Sequence, residues 1–336
     1  MTSTALADGG LVAATPQNIA RAAALLAAGG LVAFPTETVY GLGASARDPA
    51  AVARVFAAKG RPADHPLIVH LAAAEDLEQW ARTVPEVARR LARAFWPGPL
   101  TLVLPRRPEV ADVITGGQDS VALRVPSHPV ALALLRAAGP LVAPSANRFG
   151  RVSPTTAAHV RDELGSAVDL ILDGGPCAVG VESSIVGLLG EAPVLLRPGG
   201  VSPARLQAEL GQPVMLPHRV GGADNPRVPG ALASHYAPAT PLEVWPAGAL
   251  AARADELAQC GLRVTVLALG EAAALPPSAH VEPMPADAAG YARVLYATLR
   301  RLDNAGHGVI LVEAPPESPD WLAVRDRLAR AAHRSG

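Results

Sequence analysis

Leu31-Val32-Ala33-Phe34-Pro35-Thr36-Glu37-Thr38-Val39-Tyr40-Gly41-Leu42-Gly43 decides the fold. Its four leading apolar residues form a short buried strand, and the proline, hydroxyls and glycines behind them open that strand into a polar loop. Upstream, Thr15-Pro16 ahead of an alanine-rich run that stops at Gly29 predicts a helix with a cap, a proline in its first turn and a glycine past its end. Downstream, Asp48-Pro49 opens a second helix carrying Val52, Val55 and Phe56 on one side and ending near Gly60. Lys59 then sits in its last turn and Arg61 just outside.

The same alternation continues along the chain. Strands are expected at 67–71, 100–104, 121–125, 141–143, 170–172, 184–188 and 194–196. Helices are expected at 86–95, from a cap at Ser127 to about Ala138, and from Ser153-Pro154 onward. Several strand pairs lack an intervening helix, which predicts a mixed sheet. Between 211 and 240, Pro213, Pro217, Gly221-Gly222, Pro226, Pro229-Gly230 and Pro238 forbid any long element and mark a linker. Beyond it, apolar runs at 242–245, 264–268 and 309–312 alternate with helical patterns at 249–258, 291–303 and 321–332. The expected organisation is a first domain over 11–210, a linker or lid over 211–240, and a smaller open-sheet α/β domain over 241–336. The second domain contains neither GxGxxG nor GxxxxGK[ST], so no nucleotide site is expected there.

Composition narrows the function classes. At 336 residues the chain is long for one domain, and with half its residues hydrophobic it readily buries a core. Its 29 basic and 30 acidic residues leave a net charge of −1, which argues against a protein that coats nucleic acid. Any contact with nucleic acid is expected to be indirect or weak. The two cysteines, Cys177 and Cys260, make neither a CxxC nor a Cys/His pattern, so buried free thiols in a reducing compartment are expected rather than zinc. The first basic residue is Arg21, and the apolar stretch from Ala22 to Pro35 is short and broken by Gly29-Gly30. No membrane association and a cytoplasmic location are expected.

The chemistry concentrates in two short motifs. Lys59-Gly60-Arg61 offers two cations at a helix exit, and Ser145-Ala146-Asn147 offers a hydroxyl and an amide in a loop behind a buried strand. Charge and fork-shaped donors suit phosphate or carboxylate, and the uncharged pair can donate or accept beside them. Taken singly, Lys59 is equally a solvated helix-end cation and Ser145 a turn residue. Together with the opening stretch come Phe95-Trp96-Pro97-Gly98-Pro99-Leu100-Thr101-Leu102, Ala122-Leu123-Arg124-Val125-Pro126, Glu182-Ser183-Ser184-Ile185-Val186 and Leu196-Arg197-Pro198-Gly199. In this order the motifs resemble the YrdC-like family, and specifically its two-domain members, the L-threonylcarbamoyladenylate synthases. The resemblance runs densely from about Thr15 to Ser202 and more thinly from His235-Tyr236-Ala237-Pro238 to the C-terminus.

That resemblance implies an open, twisted, mixed-sheet domain with a concave active face and a smaller Rossmann-like second domain. It implies a reaction of L-threonine, bicarbonate or carbon dioxide, and ATP with magnesium, giving threonylcarbamoyl-AMP and pyrophosphate. Such a step needs positioning and charge neutralisation rather than an enzyme nucleophile, and the sequence offers no candidate triad. By the same resemblance Lys59, Arg61, Ser145 and Asn147 are the catalytic set. ATP falls to these four together with His65, Ser120, Ser153, Arg197 and Tyr236. Threonine falls to Thr38, His70, Arg124, Ala143 and Ser183, with Arg124 the natural bidentate partner of its carboxylate. No protein side chain is expected to ligate metal.

Alternatives stand beside several of these. His70 on an apolar strand is equally a satisfied core histidine, Ser120 or Ser153 a strand edge or helix cap, and Glu37 and Glu182 stay outside the set. The linker is read as a lid carrying Tyr236 to the nucleotide, or else as a tether whose tyrosine packs on the second domain. Relatives often carry a basic residue before His-Tyr, whereas Ala231-Leu232-Ala233-Ser234 is uncharged. The expected recipient of the product is a downstream tRNA threonylcarbamoyl transferase complex. Rival functions are a double-stranded RNA-binding or ribosome-associated module, and a carbamoyl-transfer protein of hydrogenase maturation, whose zinc-finger cysteines this chain lacks.

Overall fold

The structure, a computed structural model, describes residues 10–216, 225–230, 235–269, 275–277 and 279–333. These divide into two compact units, one drawn from Met1–Phe149 with Ser153–Ala231 and the other from Gly150–Val152 with Leu232–Gly336. The division does not simply follow chain order. Three residues in the middle of the first domain belong to the second unit, and the proline-rich segment is shared between them.

The first unit is built on a ten-stranded sheet. In spatial order its strands are Leu11–Ala13, Leu170–Asp173, Val32–Phe34, Gly41–Ser45, Leu141–Val142, Ile68–His70, Ser120–Arg124, Leu100–Pro105, Ser184–Gly187 and Val194–Arg197. Parallel and antiparallel neighbours are interspersed, so the sheet is mixed as expected. Helices Pro16–Ala27 and Pro129–Ala138 pack Ala22, Leu26, Leu134 and Leu135 onto Val32, Phe34, Leu141 and Leu170. Burying a side chain such as Phe34 or Leu26 contributes roughly 1.5–3 kcal/mol, and both are essentially inaccessible.

The opening stretch does more than its pattern predicts. After the loop the chain returns as the strand Gly41–Ser45, antiparallel to Val32–Phe34. A Cβ at Gly43 would fall 2.8 Å from Phe34 Cε1, so the small residue lets the ring lie across its neighbour strand. Helix Pro49–Lys59 forms as expected, with the Asp48 carboxylate accepting from the amides of Ala50 and Ala51, and left-handed Gly60 (φ 61°) ending it.

Three local expectations are corrected. The helix before Ala138 is capped by His128, whose ring accepts from the Val130 amide, while the Ser127 amide is spent on the Glu37 carboxylate. Ser153-Pro154 does not start a helix. The Pro154 carbonyl accepts from Tyr40, and the helix Ala157–Leu164 begins after a Thr156 cap. Cys177 is buried, but Cys260 is exposed at a helix C-terminus.

The second unit carries a wholly parallel four-stranded sheet in the order Leu242–Trp245, Val309–Glu313, Val264–Leu269, His280–Met284. Its last strand carries Pro283, which a sheet tolerates at an edge. Helix Ala247–Gln259 covers one face through Leu250, Ala254 and Leu257. Ala288–Asn304 and Leu322–Ala332 complete the unit. Among the described residues no helix is long and apolar enough to cross a membrane.

Candidate active site

The helix exit at Lys59 is aimed inward. Its Nζ donates to the backbone carbonyls of Ser145 and Asn147, and its own carbonyl accepts from the Phe149 amide at 2.8 Å. Lys59 is only 3 % exposed, and burial, reinforced by the charge of Arg61, holds its ammonium well below the usual lysine range. Arg61 donates to the Pro66 carbonyl at 2.9 Å and lies 5.7 Å from the centre of the Phe149 ring. His65 meets the same ring edge-on at 5.3 Å, and burial followed by Arg61 lowers its pKa. Lys59, Arg61 and His65 thus meet at Phe149, which sequence reasoning did not single out, and Ser145 and Asn147 are tied to them through the Lys59 ammonium. The signal for Phe149 was an aromatic two residues past Asn147.

The loop that decided the fold forms the neighbouring wall. Its Tyr40 carbonyl accepts from Ala146, its Leu42 amide donates to Pro144, and Gly41 makes an isolated bridge with Ser145. One turn earlier, Arg124 reaches the Glu37 carboxylate at 2.6 Å and the Thr38 hydroxyl at 3.0 Å, with Thr36 2.8 Å from Thr38. Glu37 also accepts from the Ser127 amide at 3.0 Å. Arg124 and Glu37 are both nearly inaccessible, so this pair is viable only because hydrogen bonds surround it. His70 pairs in register with Arg124. Its Nδ1–H donates to the Ile68 carbonyl at 3.3 Å, which leaves Nε2 as an acceptor. Burial and then Arg124 push its pKa down to about 3, so the ring is neutral at physiological pH. Ala143 donates its amide to Ile68 beside it.

A third set comes from the far strands. The Ser183 hydroxyl lies 2.8 Å from Thr101 Oγ1 and accepts from Arg197 at 3.1 Å. The Arg197 guanidinium also donates to the Ser183 carbonyl and, at 2.9 Å, to the carbonyl of Pro229. Ser153 donates to the Glu182 carboxylate at 2.6 Å. A Cβ at Gly199 would fall 2.3 Å from the Glu182 carbonyl oxygen, which explains a glycine directly behind Arg197-Pro198. Thr101 was quoted in a motif but given no role, and only its place in an apolar strand could have flagged it.

The proline-rich segment contributes to this unit. Arg227 exchanges backbone hydrogen bonds with the Gln118 side chain and donates to the Gly116 carbonyl, while Val228 packs with Ile68, Ala122, Ile185 and Leu196. Tyr236 lies in the second unit. It is buried in the second unit with a φ of 61°, stacked on Tyr296 at 5.8 Å, with the Arg327 guanidinium 5.0 Å from its ring centre. Residues 231–234 lie outside the described residues. Ser120 begins its strand opposite Pro105 and is nearly buried. Among the described residues no group of three or more carboxylate, imidazole or thiol side chains is placed to hold a metal ion. An open cavity of about 420 Å³ lined by Arg47, Trp80, Glu109 and Val110 touches none of these motifs.

Comparison with known proteins divides the chain near residue 200, some thirty residues before the boundary of the compact units. Residues 24–199 match a family described as "Telomere recombination", which groups Sua5, YciO and YrdC, and residues 201–333 match the threonylcarbamoyl-AMP synthase C-terminal domain. The chain is 43 % identical over 319 residues to threonylcarbamoyl-AMP synthase of Pyrococcus abyssi, covering 93 % of each protein. It is 42 % identical over 322 residues to the Bacillus subtilis protein of that name, covering 94 % of this chain and 93 % of that one. The solved structure of P. abyssi Sua5 complexed with L-threonine superposes with a TM-score of 0.88 at 41 % identity, covering 96 % of each chain.

Proposed function

Because this chain belongs to the threonylcarbamoyl-AMP synthase family, we propose that its first unit makes threonylcarbamoyl-AMP and pyrophosphate from L-threonine, bicarbonate or carbon dioxide, and ATP. The observation that carries the reading is the buried juxtaposition of Lys59 and Arg61 with the Ser145–Asn147 loop, stapled to the loop that holds Thr38 against Arg124. A cation-lined wall and a hydroxyl-lined wall share one stretch of backbone.

In this proposal the threonine nitrogen adds to carbon dioxide and loses a proton, giving a carbamate. A carbamate oxygen attacks the α-phosphorus, the bond from that phosphorus to the α,β-bridging oxygen breaks, and the β- and γ-phosphates leave together as pyrophosphate. Arg61, His65 and Lys59 neutralise the polyphosphate, with Lys59 also fixing the loop whose Ser145 and Asn147 face the α-phosphate and ribose. Ser120, Ser153 and Arg197 complete the ATP contacts. Tyr236, on the segment that precedes the second unit's sheet, is the remaining ATP contact in this reading. Arg124 takes the threonine carboxylate, and Thr38, His70, Ser183 and the Ala143 backbone enclose its amine and hydroxyl. A site built to satisfy a hydroxyl rejects analogues lacking it far better than an apolar slot does. Magnesium, carried in with ATP, would supply further neutralisation of the phosphate charge beside Lys59 and Arg61.

The product serves a downstream tRNA threonylcarbamoyl transferase complex in the cytoplasm, with no direct tRNA or double-stranded RNA contact required. Pyrophosphate release with threonine, serine and valine tests this reading. We expect release with threonine, less with serine and least with valine. Equal release with valine would overturn the amino-acid assignment. Tyr236→Phe tests the lid, since an unchanged KM for ATP leaves the ring as an anchor of the second unit.

A further inference from the structure

The loop behind Val32–Phe34 fixes Glu37 by its backbone before its side chain makes any bond. The Glu37 carbonyl accepts from the Val179 amide at 2.7 Å, and the Thr38 carbonyl from Gly180 at 3.2 Å. The carboxylate then takes Arg124 Nη2 on Oε1 and the Ser127 amide on Oε2. An ionised carboxylate has about four acceptor positions, so one stays open on each oxygen. Glu37 is also the more accessible partner of this ion pair, its side chain 9 % exposed against 5 % for Arg124. Arg124 is committed in the opposite sense. Its Nε donates to the Gly98 carbonyl at 3.3 Å and its Nη2 serves both Glu37 and Thr38, which leaves Nη1 with no partner among the described residues.

Proton directions make the rest of this wall an acceptor. Thr36 donates its only hydroxyl proton to the Val39 carbonyl at 2.7 Å, so in its 2.8 Å contact with Thr38 the proton comes from Thr38. The Thr38 hydroxyl therefore has none to give to a ligand. His70, in register with Arg124, offers Nε2 as a further acceptor. A free amino acid carries one group for each half of this arrangement. Its carboxylate needs donors, which Nη1 supplies, and its ammonium needs acceptors with negative charge, which Glu37 supplies. Arg124 by itself does not select a carboxylate by net charge, because Glu37 already balances it. The other titratable groups facing Glu37 leave that balance intact: burial lowers the pKa of His128 and pushes the Cys177 thiol up to about 12, so both are neutral at about pH 7. We propose that Glu37 binds the α-ammonium of the substrate directly, and that with Arg124 it forms a fixed charge pair which admits an amino acid only as its zwitterion. The β-hydroxyl suits Glu37 less well, since it brings one proton and no charge, and a buried ammonium left without a carboxylate is strongly disfavoured. The inference rests on the threonine reading of this wall and adds a specificity to it: hydroxy acids and N-acylated amino acids are excluded for want of a cation.

The experiment is titration calorimetry on the full-length protein with threonine, with 3-hydroxybutyrate, which lacks the amine, and with 2-aminobutyrate, which lacks the hydroxyl. Wild type is expected to bind 3-hydroxybutyrate about 100-fold more weakly than threonine, the order of loss when a buried charge is left unpaired. Glu37→Gln keeps the shape and an acceptor for Arg124. It should lower threonine affinity about 10-fold to 100-fold and leave 3-hydroxybutyrate affinity unchanged or improved, because the carboxylate of that probe no longer meets a buried negative charge. The loss for 2-aminobutyrate should follow that for threonine, and Glu37→Asp, which retains the charge, should keep the wild-type order of the three. If Glu37 only orients Arg124, the glutamine variant will lose all three probes by the same factor, and the proposal falls. It falls equally if wild type binds 3-hydroxybutyrate as tightly as threonine, or if 2-aminobutyrate is the probe that the substitution spares, which would put the hydroxyl on Glu37. Should the glutamine variant not fold, wild type decides alone. Threonine binding at about pH 7, repeated in buffers of different ionisation enthalpy, should release no proton, whereas release of about one proton would mean that the free amine binds and would overturn the proposal. If wild type binds no threonine at all, the amino-acid reading of the wall fails first and the inference with it.

Discussion

The two units bury charge very differently. In the first, Glu37, Lys59, Arg61, Arg124, Glu182 and Arg197 are all nearly inaccessible, whereas in the second Arg327 alone is so among the described residues. An uncompensated buried charge costs several kcal/mol, so a fold does not accumulate six without a use for them. The second unit keeps most of its charge closer to solvent. Its sheet is apolar on the covered face, and apart from the inaccessible Arg327 with Asp326, ion pairs such as Arg253 with Glu243 lie nearer the surface. The contrast locates chemistry without any bound ligand.

The sharpest way to break the contrast is to remove the cations. Arg61→Ala or Lys59→Ala should lower turnover on the order of 100-fold to 1000-fold, the usual loss for one preorganised electrostatic group. At the helix exit either change looks harmless to the fold. Burial adds a cost for Lys59→Ala, because the Ser145 and Asn147 carbonyls lose their donor, at about 1–3 kcal/mol for each unsatisfied group. Activity and urea midpoints measured together check this. Near-normal turnover with a large stability loss would make the first unit's charges structural, like those of the second.

Next in size is the pair of Arg124 and Glu37. Glu37→Ala leaves a buried guanidinium without its carboxylate and should cost about 3–5 kcal/mol, with weaker threonine binding as Arg124 loses its orientation. Glu37→Gln, which keeps an acceptor, should fold better yet still raise the KM for threonine. A Glu37→Ala protein with native stability and native threonine affinity would contradict the pair's role.

Acid sharpens the comparison further. His70 has its folded pKa lowered to about 3 from an ordinary 6.5, so the unfolded chain binds its proton first. Its contribution to stability is complete above pH 6.5 and is lost as pH falls toward 3, at no more than about 1.4 kcal/mol per pH unit. Calorimetry of wild type and His70→Gln should show a shallower acid slope in the variant. The smallest effect is expected at Arg253→Ala in the second unit, which should lower stability slightly and leave turnover unchanged.

Much of this contrast was legible in the sequence. Caps and glycines placed the helices at 16–27 and 49–59, and the alternation of apolar runs placed most strands, because local rules govern those elements. Gly41–Ser45 was not legible as a strand, since its glycines signal a loop until Phe34 is known to lie over Gly43. His280–Met284 was hidden by its proline and polar residues, which an edge position excuses. In the site, the cations and the Ser-x-Asn loop were visible as motifs. Their mutual grip was not, because it runs through backbone carbonyls that no side-chain pattern encodes. Tyr236 shows the same limit, for the sequence left its partner open and the fold stacks it on Tyr296. The passage of Gly150–Val152 into the second unit is long-range by nature and leaves no local signal.

The central claim, that the buried charges of the first unit serve one condensation of three substrates, is tested most directly by following carbon. The purified full-length protein is incubated with ATP, threonine and carbon-labelled bicarbonate, and the nucleotide products are separated. The account predicts an AMP adduct that carries both threonine and the label, formed together with one pyrophosphate and absent when threonine or bicarbonate is omitted. Unlabelled AMP, or ADP formed without bicarbonate, would contradict it.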